Sequence, residues 1–118
     1  MGKSLLRDKS FAFAIVIVRM SQELQQQKKE YVLSKQLSRS GTAVGALLAE
    51  AEFGQSKADF IHKLTIALKE ANETNYWLAL LKDTDYIDEP NYAKVSDVCS
   101  ELVKMLASSI KTAKSNLP

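Results

Sequence analysis

The chain has 118 residues, 46% hydrophobic and 25% charged, with a formal net charge of +2 at pH 7. This is the size of one domain with one modest core, and the composition of a folded chain rather than a disordered one. The near-neutral charge argues against a protein that lives on bulk attraction to nucleic acid, and four glycines and two prolines are too few for the turns of a many-stranded β fold.

The first segment opens with Lys3 and Arg7 and continues into the apolar run Phe11–Val18 (FAFAIVIV), superficially like a secretory signal. No small-residue cleavage site follows, because Arg19-Met20-Ser21-Gln22-Glu23 is a polar continuation. The run is also far shorter than the roughly 20 residues that span a bilayer. A cytoplasmic protein without membrane association is expected. Ile15 to Val18 are β-branched and favour strand locally, but Met20, Glu23, Leu24 and the glutamines extend the element to helical length without a breaker. Phe11, Ala14, Ile15 and Val18 fall at i, i+3, i+4, i+7, one face of a helix over about 9–28. Phe13 and Ile17 lie on a second face, so this helix is expected to be buried on more than one side.

The second segment, about 31–53, takes its apolar positions from Val32, Leu37, Val44, Leu47, Leu48 and Ala51. Gly41 and Gly45 interrupt it, each costing about 1 kcal/mol against alanine in a helix interior. Their spacing of four puts both on one face, with Ala49 next, a stripe that lets another helix approach closely. A phosphate-cradling loop is the poorer reading, because no strand precedes the glycines and no Gly-Lys-Ser/Thr follows.

Gly54-Gln55 breaks the chain and Ser56 restarts it as a helix cap, with Asp59 at the third position of a capping box. The third helix, 57–83, carries Phe60, Leu64, Ala67, Ala71, Leu78 and Leu81 along one face, with Ile61, Leu68 and Trp77 beside it. Asp83, Asp85, Asp88 and Glu89 then crowd a short link. Negative charge suits the start of a helix better than its end, so Asp88 or Glu89 is expected to cap a fourth helix, about 90–114, with Pro90 at its first position. Val95, Val98, Cys99, Leu102, Leu106, Ser109, Ile110 and Ala113 give that helix a heptad-like stripe.

Four amphipathic helices joined by short links imply a single all-α domain over 1–118, an antiparallel up-down-up-down four-helix bundle. With the second turn centred at Gly54-Gln55, Arg39 falls beside Glu70 with Glu73 one turn away. This is an inter-helix ion pair expected in the dry middle of the bundle, where it would fix alignment more than add stability.

Chemistry is sparse. The Glu-x-x-His pattern of di-metal bundles needs histidines on two helices, whereas His62 is the sole histidine and Asp59 stands three before it. No His-Glu-x-x-His, Cys-x-x-Cys or Ser-His-Asp order is present. Cys99, the one cysteine, precludes an intrachain disulfide and reads as a small buried residue of a reducing compartment. No catalytic residue, metal, cofactor or small-molecule substrate is expected. The basic candidates for nucleic acid are Lys28, Lys29 and Lys35, with Tyr31 as a stacking surface. Apolar residues on second faces, including Phe13, Ile17, Tyr76 and Trp77, exceed what a small monomeric bundle needs and point to a subunit interface.

The stretch RSGTAVGALLAEAEFGQSKADFIHKLTIALKEANETNYWLALLKDTDYI, Arg39 to Ile87, resembles the four-helix-bundle family encoded by 23S rRNA intervening sequences. The carriers are the Arg-Ser-Gly start, the small-residue element ending in Ala-Glu-Ala, the Ser-Lys helix start and the ALKEANETNYWL helix. Leu47 stands where the family commonly has asparagine. The resemblance implies a four-helix protomer that assembles as a homopentameric ring. It also implies kinship to the accessory variability protein of diversity-generating retroelements, which binds nucleic acid and a reverse transcriptase. Arg39, Glu50, Glu70 and Glu73 match polar positions of the family motif and carry over as a structural network. The leading expectation is a non-enzymatic oligomeric interaction protein, and the alternative is a nucleic-acid-binding accessory factor acting with an RNA or a reverse transcriptase.

Overall fold

The computed structural model describes residues 2–116, with side chains from Leu5 onward. Four helices account for nearly all of them: α1 (Gly2–Gln27), α2 (Leu33–Ala51), α3 (Lys57–Asp83) and α4 (Glu89–Ser115). Each packs antiparallel on the next, and α4 closes back onto α1, so the helices stand in a square with α1 diagonal to α3. The result is the all-α antiparallel four-helix bundle, a rod of 51 × 22 × 20 Å.

Each helix start has a local cause. The α1–α2 turn is made by Lys29 in a left-handed conformation (φ 56°), and the Lys28 and Glu30 amides both donate to the Leu24 carbonyl at 3.1 Å. Glu30, itself buried, turns its carboxylate onto the first free amides of α2, accepting from Val32 (3.2 Å), Leu33 (3.0 Å) and Ser34 (2.7 Å). Those bonds shift the start of α2 from the expected residue 31 to Leu33, since the amides of an opening turn have no partner within the helix. Ser56 Oγ accepts from the Asp59 amide at 3.1 Å and opens α3. Asp88 does the same for α4 through the Asn91 amide at 2.9 Å, which makes Glu89 the first helical residue and Pro90 the second.

The first helix departs most from expectation. It begins at Gly2 rather than near Lys9, because Leu6 belongs to the core and no breaker separates it from the apolar run. Its buried face is Leu6, Ser10, Phe13, Ile17, Ser21 and Leu24, while Phe11, Ile15, Val16 and Val18 are exposed. The face expected to be the primary core face is therefore outside, and Phe13 and Ile17 belong to the protomer's own core.

The reason lies on α2. A Cβ built on Gly41 would stand 2.7 Å from Ile17 Cγ2 and 2.9 Å from its Cγ1, so the two helices touch through the missing side chain. At Gly45 the neighbour is the Ser10 backbone and Cβ, at 3.5–3.6 Å. A seam this close admits a serine and an isoleucine edge-on but has no room for a phenylalanine ring. The other core seams are conventional, with Leu37, Val44 and Leu48 of α2 meeting Leu64, Ala71 and Leu78 of α3, and Cys99, Leu102 and Leu106 closing from α4. One buried polar pair, Thr74 Oγ1 donating to Ser40 Oγ at 2.9 Å, ties α3 to α2.

The two glycines should behave differently. Gly41→Ala drives a methyl into Ile17, whose β-branched side chain is fully buried and stiff at χ1, and overpacking of this kind costs about 1–3 kcal/mol. Gly45→Ala meets only ordinary contact distances and gains about 1 kcal/mol of helix propensity. Urea unfolding midpoints should fall for the first substitution and hold or rise for the second.

Candidate functional site

The nucleophilic and acid–base side chains are placed apart. Cys99 is fully buried in α4, its thiol donating to the Ala71 carbonyl at 3.1 Å, and burial pushes its pKa up to about 12. A reactive cysteine needs the opposite, a stabilised and accessible thiolate. His62 is exposed on α3, more than two turns towards the N-terminus of that helix from the Cys99 contact at Ala71. Among the described residues no cluster of three or more His, Cys, Asp or Glu side chains is placed to hold a metal.

Arg39, Glu70 and Glu73 come together on the outer edge of the α2–α3 seam. Arg39 Nη1 donates to both Glu70 oxygens, at 3.2 and 3.3 Å, Nη2 pairs with Glu73, and Nε donates to Gln36 Oε1 at 3.3 Å. Trp77 Nε1 donates to Glu73 Oε2 at 3.1 Å, and Tyr76 stands edge-on to Trp77 with ring centroids 5.1 Å apart. Two details correct the expectation. The Arg39 side chain is 49% exposed, so the pair lies on the surface and not in a dry interior. Glu50 belongs to a different contact, accepting from Lys63 at 3.1 Å, because eleven residues of helix put it about 16 Å along α2 from Arg39. The contacts Ser40–Thr74 and Glu50–Lys63 also set α3 about one turn from the simple turn-centred register, and Arg39 reaches Glu70 by the length of its side chain.

Lys28, Lys29 and Lys35 are all exposed at the end of the rod where α1 turns into α2. In an up-down-up-down bundle that end also holds the α3–α4 link. Asp83, Asp85, Asp88 and Glu89 therefore share it, and the local field is mixed rather than basic.

The unpartnered apolar surface is elsewhere. On the outside of α1, Phe11 is 70% exposed, Val16 45% and Ile15 43%, with Leu5 and Val18 beside them. Phe11, Ala12 and Ile15 together with Gly45 and Ala49 of α2 line a surface groove of about 300 Å³, whose lining also includes the charged Arg7 and Asp8. Of the surplus apolar residues expected from the sequence, Tyr76 is exposed and Trp77 half-buried, whereas Phe13 and Ile17 are consumed by the core. The missed signal was the pair Ser10 and Ser21, whose small side chains mark the face that packs against the glycines.

Two measurements check these placements. Arg39→Ala should cost less than about 1 kcal/mol in chemical denaturation, the range of exposed pairs, and not the 3–5 kcal/mol lost on breaking a buried one. Cys99 should resist an aromatic disulfide reagent at pH 8 in the native protein and titrate fully in denaturant. Its folded pKa is raised, so its contribution to stability is whole below about pH 9, the range of an unfolded thiol, and is lost as pH climbs towards 12. The stability difference between wild type and Cys99→Ala should shrink over that interval.

None of the curated proteins compared with the chain matches it. Among solved structures, the chain is similar to a protein of unknown function from the S23 ribosomal protein family of Bacteroides thetaiotaomicron VPI-5482. That crystal structure shares 50% identity over 94% of this chain and 99% of the other, with a TM-score of 0.93. The family model for the 23S rRNA-intervening sequence protein matches residues 3–108, nearly the whole bundle, and the chain therefore belongs to that family.

Proposed function

We propose that the protein is a non-enzymatic cytoplasmic subunit that assembles with copies of itself through the outer face of α1, as the homopentameric ring implied by its family likeness. The observation that carries the assembly is the exposed pair Phe11 and Ile15 at the α1–α2 groove, with Val18 one turn further along the same side of α1. Burying one such side chain fully contributes about 1.5–3 kcal/mol, and contiguous apolar patches of several hundred Å² mark interaction surfaces on soluble proteins. The non-enzymatic part is supported by the separation of Cys99 from His62 and by the locked state of the thiol. No helix among the described residues is long and apolar enough to cross a membrane.

Light scattering on the purified protein at micromolar concentration should give a particle of about five times the 13.1 kDa chain mass. A double substitution of Phe11 and Ile15 by lysine should reduce it to the single-chain mass with helicity unchanged by circular dichroism. A wild-type particle of single-chain mass would overturn self-association. A multiple other than five would retain it and remove the ring.

A further inference from the structure

We infer that the outer α2–α3 seam is the second contact surface of the assembly, where Leu47 and Ile66 receive Phe11 of the neighbouring copy. This rests on the self-association proposed above and supplies the surface that the α1 flank meets. A closed ring of identical subunits is joined by two different patches, whereas one self-complementary patch stops at a dimer.

Closure restricts where the second patch can lie. In a five-membered ring the two contact surfaces of a subunit face directions about 108° apart, and surfaces facing opposite ways build an open filament. Phe11 and Ile15 open onto the α1–α2 side of the square, beside Gly45 and Ala49. The α3–α4 side is opposite. Lys69, Lys104 and Lys111 also stand exposed on it in no ion pair among the described residues, and unpaired charges are costly to bury. The two adjacent sides of the square stand at about 90°, near the angle that closure requires. On the α1–α4 side the exposed apolar residues Leu5, Val16 and Val98 are all aliphatic, beside the Lys9–Glu101 pair. The α2–α3 side carries Tyr76, 61% exposed and edge-on to the half-buried Trp77, with Arg39 joined to Trp77 through Glu73. Tyrosine, tryptophan and arginine are the side chains that dominate subunit contacts. Using this side turns the shared corner, α2, towards the ring axis, where Thr42, Ala46 and Ala49 are small enough for five copies to converge.

Rotation about an axis along the rods keeps each residue at its own height, so heights within one protomer also match residues between copies. Gly41 at Ile17 and Gly45 at Ser10 place Phe11 less than one turn, about 5 Å, from the height of Leu47. Glu50–Lys63 and Ser40–Thr74 place Ile66 level with Leu47. Leu47 is three residues from Glu50 and Ile66 three from Lys63, so both lie along that seam, and both are half-buried. They form an apolar gap between Lys63–Glu50 below and the Arg39, Glu70 and Glu73 cluster above. Charges on the flank complement those two clusters. Asp8 and Arg19 bracket Phe11 and Ile15 on α1, both exposed and in no ion pair among the described residues. At the same heights Asp8 comes within about one turn of Lys63, and Arg19 within about one turn of Glu73 and Tyr76.

The test mixes two variants of the full chain, each broken on one face. F11K/I15K keeps an intact seam, and Leu47→Lys keeps an intact α1 flank. Each alone should sediment at the 13.1 kDa single-chain mass, with wild-type helicity by circular dichroism. Mixed at roughly 100 μM, where one interface of micromolar Kd is filled, they should form a one-to-one dimer. One intact flank then meets one intact seam, and the two broken faces end the chain. Ile66→Lys, on the facing helix, should repeat both results, and it replaces Leu47→Lys if that variant loses helicity. The inference is overturned if a folded seam variant keeps the wild-type mass, or if the mixture stays at the single-chain mass. In either case a multi-chain wild type leaves self-association through α1 standing. A wild type of single-chain mass overturns both.

Discussion

The contact between Gly41 and Ile17 sets the geometry on which the remaining surfaces depend. Where α2 lacks a Cβ, α1 comes in close enough that its own narrow residues must face the seam. Ser10 occupies the level of Gly45 and Ile17 that of Gly41. A helix rotated to bury Phe11 would have to stand off by the thickness of an aromatic ring, and the interior contacts of Phe13, Leu6 and Leu24 would open. Close packing in a protein interior tolerates few such gaps. The cost of the arrangement is that α1 turns Phe11 and Ile15 to the outside, on the flank through which we propose that copies associate.

Electrostatics then separates the remaining sides of the square. Each of the four seams holds a cross-helix ion pair whose members are at least partly exposed, so these pairs align helices more than they stabilise them. The outer α3–α4 face below the Lys82–Glu89 contact carries lysines without carboxylate partners.

Much of this architecture could be read along the chain. Helix count, the Ser56 and Asp88 starts, the antiparallel order and the close-packing glycines all follow from local chemistry: capping side chains, breakers and 3.6-residue periodicity act within a few positions. The Arg39–Glu70 contact could also be anticipated, because a short turn constrains which residues face each other. The start of α2 was less visible. Glu30 acts there through its side chain on the three amides after the turn, a role that its position outside the apolar pattern did not announce.

The sequence by itself determined a bundle of four helices and the apolar character of α1 on more than one side. Only the tertiary structure decided which side of α1 faces inward. Periodicity ranks the faces of a helix by hydrophobicity, whereas the packed seam ranks them by the width of side chain that fits over Gly41 and Gly45. Tertiary structure likewise decided that Lys28, Lys29 and Lys35 share their end with four acidic residues, and that Lys69 of one helix joins Lys104 and Lys111 of another. Such neighbourhoods are set by antiparallel register between segments far apart in the chain, and no local spacing encodes them.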